Sequence, residues 1–411
     1  MRFLIMFILS VHLFADFDTT IRIEKDVDKR SKVVVLDESV GVAPHISGKF
    51  FDLLSKDLKI SGNFISDKIH YSSSDTTLDL NNKEYIIKYR LNLSSGASLS
   101  VSLLKVSSKA LVFSKEYNIP SFNKYPFLAH QAVSDINDAL HYQPISWINR
   151  YVIFSRYSGA KQSQIVLADY SMTYQKVLIS GGLNLFPKWA DKHQRSIYYT
   201  SYSTLRPTLY KLNIYSGARS FVASSEGMIV CSDVSRDGTK IIATMAPNGH
   251  ADIYELDTLS GLKKRITTFS GIDVNGNYSD NESSIVYVSN PLGYANIYKK
   301  PINGSGVSQI VFHGRNNNSC DTSGNNIVYS SRESSAKYSK NRFNIYLASS
   351  SGTRPLTTTG TNQFPKFSPN GKVVLYVKSR GGSSSIGYIN LASKKTLTFP
   401  VYGKKIQSID W

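Results

Sequence analysis

The strongest constraint on what this chain can fold into is a repeat. From about residue 141 onward an apolar segment recurs six times, as VIFSR (152–156), IYYTS (197–201), IIATM (241–245), IVYVS (285–289), IVYSS (327–331) and VLYVK (374–378). A weaker strand-like segment follows each one, centred on Val166, Tyr210, Tyr254, Tyr298, Tyr346 and Tyr388, so successive centres lie 44, 44, 44, 48 and 42 residues apart. A period in this range marks a propeller blade, a small sheet that cannot bury both faces by itself and stacks on its neighbours around a channel. The turns agree. Arg236-Asp237-Gly238 and Pro369-Asn370-Gly371 supply the Asp-Gly and Asn-Gly pairs of tight hairpins, and second turns recur at Tyr215-Ser216-Gly217, Leu259-Ser260-Gly261, Asn303-Gly304 and Ser351-Gly352. No crossover helices separate these strands, which excludes a parallel α/β sheet.

Ring closure is also legible. Most copies carry a further segment upstream of the main strand, clearest as Phe186-Pro187-Lys188-Trp189 and Phe364-Pro365-Lys366-Phe367. The first copy lacks room for one, because Trp147 precedes Phe154 by only 7 residues where Trp189 precedes Tyr199 by 10. The missing strand reappears as Ile406–Trp411, so the chain end is expected to complete the first blade and remove a free sheet edge. The expected fold is therefore mainly β, a six-bladed propeller over residues 141–411.

At 411 residues the chain exceeds what one hydrophobic core organises, and a second domain is expected before the repeat. Residues 16–140 read as a small α+β domain. It has a strand at Lys32–Leu36, a helix over His45–Ile60 with a stripe of Phe50, Leu53, Leu54 and Leu58, and alternating strands near Tyr85–Leu93, Ser98–Val106 and Ala110–Tyr117. A second helix runs from about Tyr125 to Leu140. Before it, Arg2 and an apolar run from Phe3 to Phe14 ending at Ala15 have the pattern of a secretory signal peptide, with cleavage expected after Ala15 and a membrane anchor as the alternative. The product would be soluble and outside the cytoplasm.

Charge and chemistry narrow the function. The formal charge is +18, but the cations are scattered and the longest run is Lys263-Lys264-Arg265, a solvated basic surface rather than a nucleic-acid groove. No Gly-x-Ser-x-Gly elbow, His-Glu-x-x-His pair or phosphate-binding loop is present, and the eight His residues show no ligand spacing, so no enzyme, cofactor or metal is expected. Asp273-x-Asn275-x-Asn277 has calcium-loop spacing, yet Tyr278 stands where Gly is required, which favours a structural segment. Cys231 and Cys320 fall in comparable inner segments of the third and fifth blades, where the channel would separate them beyond bridging distance, and are expected as two buried free thiols.

Taken together, the exported start, TIRIEK before KVVVLD, the helix KFFDLLSKDLKISGNF, and six blades with FPKW, SRDG and FPKFSPNG elements resemble the TolB family of Tol-Pal cell-envelope proteins across essentially the whole mature chain. The third to fifth inner segments depart from the Pro-x-Trp/Phe pattern. The resemblance implies a monomeric scaffold that binds a Pal-like peptidoglycan-associated lipoprotein at the channel mouth. It also implies a TolA-like inner-membrane protein bound through the extended mature N-terminus, other outer-membrane proteins as further candidates, and roles in outer-membrane integrity and constriction at division. The residues just before each inner strand are expected at that mouth, namely Leu185, Phe186, Val230, Asn275, Asn318, Gln363 and Phe364, while the adjoining Trp and Phe rings pack between blades. In the segment Asp16–Lys25 the alternation of Thr20, Ile21, Arg22 and Ile23 reads as a strand with one apolar edge, suited to adding onto a partner's sheet. Two competing readings are a propeller enzyme such as a lyase, for which no His and Arg cluster is found, and a carbohydrate-binding propeller using Tyr202, Tyr294 and Tyr338.

Overall fold

The computed structural model describes residues 30–411 apart from 74, 76, 77, 335–341 and 402–404. The expected leader, the segment Asp16–Lys25 and Tyr338 lie outside the described residues. From Tyr151 onward the chain forms six antiparallel four-stranded sheets arranged as blades. In five of them the strands follow one another in sequence from the innermost outward. Each predicted centre lies on the third strand of its blade and faces the apolar second strand, for instance Val166 opposite Phe154, Tyr210 opposite Tyr199 and Tyr346 opposite Tyr329. Blades are held to their neighbours by side chains from both sheets. Trp189 and Ile197 share a core with Ile153 and Ile165, and Phe367 and Val374 share one with Val328 and Ile345, so the rings after each Pro-Lys pair pack between blades as expected.

The sixth sheet is composite. Ile406–Asp410 pairs antiparallel with Tyr151–Gly159, placing Ser408 opposite Ser155, Ile409 opposite Phe154 and Asp410 opposite Ile153, and this closes the ring. Closure by hydrogen bonding leaves no inner edge open to another chain.

Ahead of the propeller, β1 (Ser31–Asp37), β2 (Phe64–Ser66), β3 (Tyr71–Ser72), β4 (Tyr85–Asn92), β5 (Ala97–Lys105) and β6 (Leu111–Ile119) form one mixed sheet in the order β2-β1-β4-β5-β6, with β3 beside β1. The pairings of β1 are parallel and those of β4-β5-β6 antiparallel. In β5, Ala97, Leu99, Val101 and Leu103 are buried and the intervening serines partly exposed, which turns one face toward the helices. Helix α1 (Pro44–Ser61) starts on Pro44, whose missing N–H costs nothing in the first turn, and stops at Gly62, which takes φ +82°. Helix α2 (Tyr125–Ala139) lies beside it. The strands β2 and β3, three and two residues long, are too short to leave an alternation in the sequence.

One apolar core runs from α1 and α2 through Trp147 and Tyr170 into blades 1 and 6, where Tyr388, Phe399 and Trp411 join it. Within it lies a buried polar lock. His130 of α2 is fully buried, with Nδ1 2.7 Å from Asp57 Oδ2 of α1 and Nε2 3.1 Å from Asp169 Oδ2 at the end of a blade 1 strand. The Tyr170 hydroxyl donates to the other oxygen of Asp57. Burial pulls the His130 imidazole down, but Asp57 and Asp169 outweigh it and hold the ring at about 9, so a cation sits between two carboxylates where the domains meet.

Candidate functional site

The inner strands line the channel, and five of those six carry a bulge about halfway along, between Leu185 and Lys188, Cys231 and Asp233, Val274 and Asn277, Asn318 and Asp321, and Gln363 and Lys366; the sixth shifts register between Ile406 and Ser408. A bulge re-aims the residues beside it. At four of them a non-glycine residue has positive φ: Phe186 (+55°), Asn275 (+54°), Ser319 (+49°) and Phe364 (+56°). For Phe the left-handed region is disfavoured by about 1–2 kcal/mol. Here both phenylalanines also precede proline, which favours extended backbone. Neighbouring blades supply the restraint. Phe186 N–H donates to Ser408 Oγ at 3.1 Å, Asn275 N–H to Thr244 Oγ1 at 3.2 Å, and Asn275 Oδ1 accepts from Cys320 N–H at 2.6 Å.

These strained residues open onto a cavity whose walls include Phe186, Met228, Val230, Val274, Asn275 and Phe364. The seven residues expected at the mouth lie within the inner strands, not ahead of them. Phe186, Val230, Asn275 and Phe364 are brought together on the cavity wall, whereas Leu185, Asn318 and Gln363 are not part of it. The alternation of the strand explains the difference: Leu185, adjacent to Phe186, turns inward and is buried, and in blade 5 the bulge presents Ser319 in place of Asn318. Cys231 and Cys320 also line the cavity as buried free thiols, and burial pushes the Cys320 thiol up to about 12. Asp273-x-Asn275-x-Asn277 is one of the inner strands, Asp273–Ser279.

One turn of strand further along, a ring of charge crosses the channel. It comprises Lys188, Asp233, Asn277, Asp321, Lys366 and Asp410, one residue per blade, at intervals of 45, 44, 44, 45 and 44 along the chain. Lys188 Nζ lies 3.2 Å from Asp410 and 3.7 Å from Asp233, and Lys366 Nζ lies 3.1 Å from Asp321. Each aspartate also accepts a backbone N–H from the next blade: Trp189 to Asp410 at 2.9 Å, Tyr278 to Asp233 at 2.9 Å and Phe367 to Asp321 at 2.8 Å. Burial opposes the Lys188 ammonium, but Asp410 and Asp233 hold its pKa above the ordinary value, so it stays charged. Burial lifts the Asp233 carboxyl above the usual range, opposed by Lys188 and reinforced by Asp321. Beyond the ring a second cavity is lined by Arg150, Asp191, Asp233 and Asp237, and Lys188 and Asp410 line both cavities, so the ring forms the partition between them. Charged residues recurring at the blade period were the signal that would have found this ring in the sequence.

A closed six-bladed propeller whose channel holds an apolar-walled cavity, joined to a small α+β domain, defines a class of two-domain propeller proteins. The family described as the TolB beta propeller domain matches residues 148–411. Tol-Pal system protein TolB of Wolinella succinogenes is 40% identical with full coverage of both chains, and that of Campylobacter jejuni serotype O:2 is 39% identical over 92% of each. The Helicobacter hepaticus protein is 36% identical, again over the full length of both. Among solved structures, TolB from Acinetobacter baumannii superposes with a TM-score of 0.76 over 93% of this chain and 97% of that one, at 20% identity, a likeness of fold. The chain belongs to the TolB family and is a component of the Tol-Pal cell-envelope system.

Proposed function

We propose that this chain is a non-enzymatic, periplasmic protein-binding scaffold, exported by its first 15 residues, that joins a Pal-like peptidoglycan-associated lipoprotein at the channel mouth to a TolA-like inner-membrane protein at Thr20–Ile23. Outer-membrane integrity and constriction at division follow from that linkage. The observation that carries the reading is the pair Phe186 and Phe364, held at φ +55° and +56° with their rings on the cavity wall. Strain of this kind persists where the surrounding structure over-determines it, and it clusters where ligands are clamped. A large, pre-organised aromatic surface in a concave site is the usual anchor of a protein interface.

Phe186→Gly with Phe364→Gly separates binding from folding. Glycine removes the left-handed penalty, which offsets the packing lost with the rings. The melting temperature is expected to stay within a few degrees, while affinity for the lipoprotein falls at least about tenfold in calorimetric titration, the loss expected for two interface anchors. Retained affinity would move the interface off the channel.

The second contact has its own test. A form starting at Asp26 lacks Thr20, Ile21, Arg22 and Ile23, and it is expected to fold and to bind the lipoprotein normally while losing the inner-membrane partner. Titration with that partner's periplasmic domain reads the result, and undiminished binding would assign the contact to another surface.

A further inference from the structure

Each blade presents two loops at the end of the ring where its inner strand begins, one entering that strand and one leaving the second strand. The pairing of Asn184 with Ser201, Arg315 with Arg332 and Ile406 with Arg156 puts both at the same end. The α+β domain docks at the other end, on Asp169 and Tyr170. Cations that are scattered along the sequence are gathered by this arrangement onto the mouth end. Lys161, Arg315, Arg332, Arg342, Arg380 and Lys405 are exposed there, in blades 5, 6 and 1. Glu226 is the one exposed acid among the described residues of these loops, and it pairs with Arg206 at 3.4 Å. Arg265 is taken up in the same way by Asp252 at 2.6 Å. The acids collect at the opposite end, whose turns hold Asp191, Asp237, Asp257, Asp280 and Glu282.

A second observation lies inside this arc. Arg315 and Arg332 are directly opposite each other on neighbouring strands of blade 5, and Arg332 in turn faces Phe343, next to Arg342. Like charges directly opposite one another destabilise a sheet, so three arginines at one strand end are unfavourable in the chain by itself and become favourable with anions among them. Over blade 4 the mouth end changes character. Ile272, Leu292 and Phe312 are 53%, 60% and 81% exposed, and the loops 266–272, 290–295 and 310–314 that carry them contain no Lys, Arg, Asp or Glu. The first two loops touch through Ile272 N–H, which donates to Asn290 Oδ1 at 2.9 Å. Arg315, whose guanidinium lies 5.1 Å from the centre of the Tyr294 ring, joins this apolar patch to the cationic arc.

We propose that the mouth end docks a carboxylate-rich face of the protein that the channel binds, its acidic side seated over blades 5, 6 and 1 and an apolar side over blade 4, an inference that rests on the channel being the partner site. Charge complementarity selects the acidic side, and arginine suits it because the planar guanidinium fork matches a carboxylate with two parallel hydrogen bonds. The cations stand exposed on the rim, so they act chiefly by steering the partner's approach, while the recessed cavity and the apolar patch act on how long it stays. A protein fits this end better than an anionic bilayer does. The rim surrounds a cavity walled by Phe186 and Phe364, which a protruding segment enters and a flat surface does not. Specificity has a repulsive side as well, since a basic partner approaching blades 5, 6 and 1 meets only like charge.

The test uses the full chain and the soluble domain of the Pal-like lipoprotein, with stopped-flow association beside calorimetric titration. Arg332→Glu with Arg380→Glu reverses two charges of the arc, and this form is expected to melt at or above the native temperature, because Arg315 gains an opposite charge across the ladder. Its association rate is expected to be at least about tenfold below the native one at low salt, the scale of electrostatic steering. Raising salt from about 50 to about 500 mM is expected to bring the native rate down toward that of the variant. Leu292→Ser with Phe312→Ser is expected to speed dissociation several-fold and to leave the salt dependence as it is. Equal association rates in native and charge-reversed chains at every salt concentration, with binding lost in Phe186→Gly/Phe364→Gly, overturn the acidic face and leave the channel reading standing. Binding lost on charge reversal but kept by the phenylalanine variant supports the acidic face and removes the cavity as the anchor. Sedimentation of the native chain with vesicles of phosphatidylglycerol and phosphatidylcholine, abolished by charge reversal while lipoprotein binding is untouched, assigns the arc to a membrane and overturns the protein partner.

Discussion

Replacing His130 with alanine is expected to lower unfolding free energy by about 3–5 kcal/mol, the range for removing one partner of a buried ionic group. Asp57 and Asp169 would then face each other's field with no cation between them, in a region with no solvent access. Denaturant titration of the native and variant chains measures the difference. The pH dependence carries a sign of its own. The folded imidazole at about 9 lies above its ordinary value of 6.5, so its contribution is complete below about pH 6.5 and is lost as pH rises through 9. A shift of that size corresponds to about 3 kcal/mol. Native stability is therefore expected to fall between pH 7 and 9.5, and the variant's curve to be flat there. In the variant, burial keeps the Asp57 carboxyl above the usual range, so stability is expected to recover in acid as it takes up a proton. A variant that keeps the native alkaline slope would remove His130 as its source. Because the lock ties α1 and α2 to blade 1, its loss is expected to act on the angle between the two domains before it acts on the channel.

What the sequence made legible follows from what repeats. The blades are six solutions to one packing problem, so their strands, turns and closing strand recur at a period that needs no tertiary information, and Trp189 and Phe367 are recognisable as interblade rings because they occupy one phase of it. The α+β domain was readable for the same kind of reason: Phe50, Leu53, Leu54 and Leu58 follow helical spacing, and Leu99, Val101 and Leu103 alternate. The channel wall was only half readable. Phe186 and Phe364 stand out beside proline, but whether Asn318 or Ser319 faces the cavity depends on where a bulge inserts its extra residue, which the pattern of apolar side chains does not encode. The lock was hidden for a different reason. Asp57, His130 and Asp169 come from two helices and a blade, 73 and 39 residues apart, and only the docking of the domains brings them together. Its trace in the sequence was Asp57 itself, an acid on the apolar face of α1 between Leu54 and Leu58, both fully buried.

The same closing strand that made the blade count legible sets the largest expected loss. Deleting Ile406–Trp411 removes Ile406, Ile409 and Trp411, all buried to 6% exposure or less, each contributing about 1.5–3 kcal/mol by burial. It also removes the donor from Trp411 Nε1 to the Phe367 carbonyl at 2.6 Å, the Ser155–Ser408 contact at 2.7 Å, and the Asp410 carboxylate that holds Trp189 N–H and Lys188. These reach into blades 1, 2 and 6, so the damage is not confined to one edge. Strand Tyr151–Gly159 would be left with an open inner edge of unpaired backbone groups, a template for pairing with another chain. The truncated chain is expected to melt far below the native one, or to aggregate on heating. The single change Asp410→Asn tests the finer part, since it keeps an oxygen for Trp189 N–H but leaves Lys188 with Asp233 alone. It is expected to keep the ring closed and the melting temperature within several degrees. Light scattering and calorimetry on both forms separate the two effects. A truncated chain that melts like the native protein would mean that Ile406–Asp410 does not close the ring, and with it the alternation of aspartate and lysine around the channel would lose its first member.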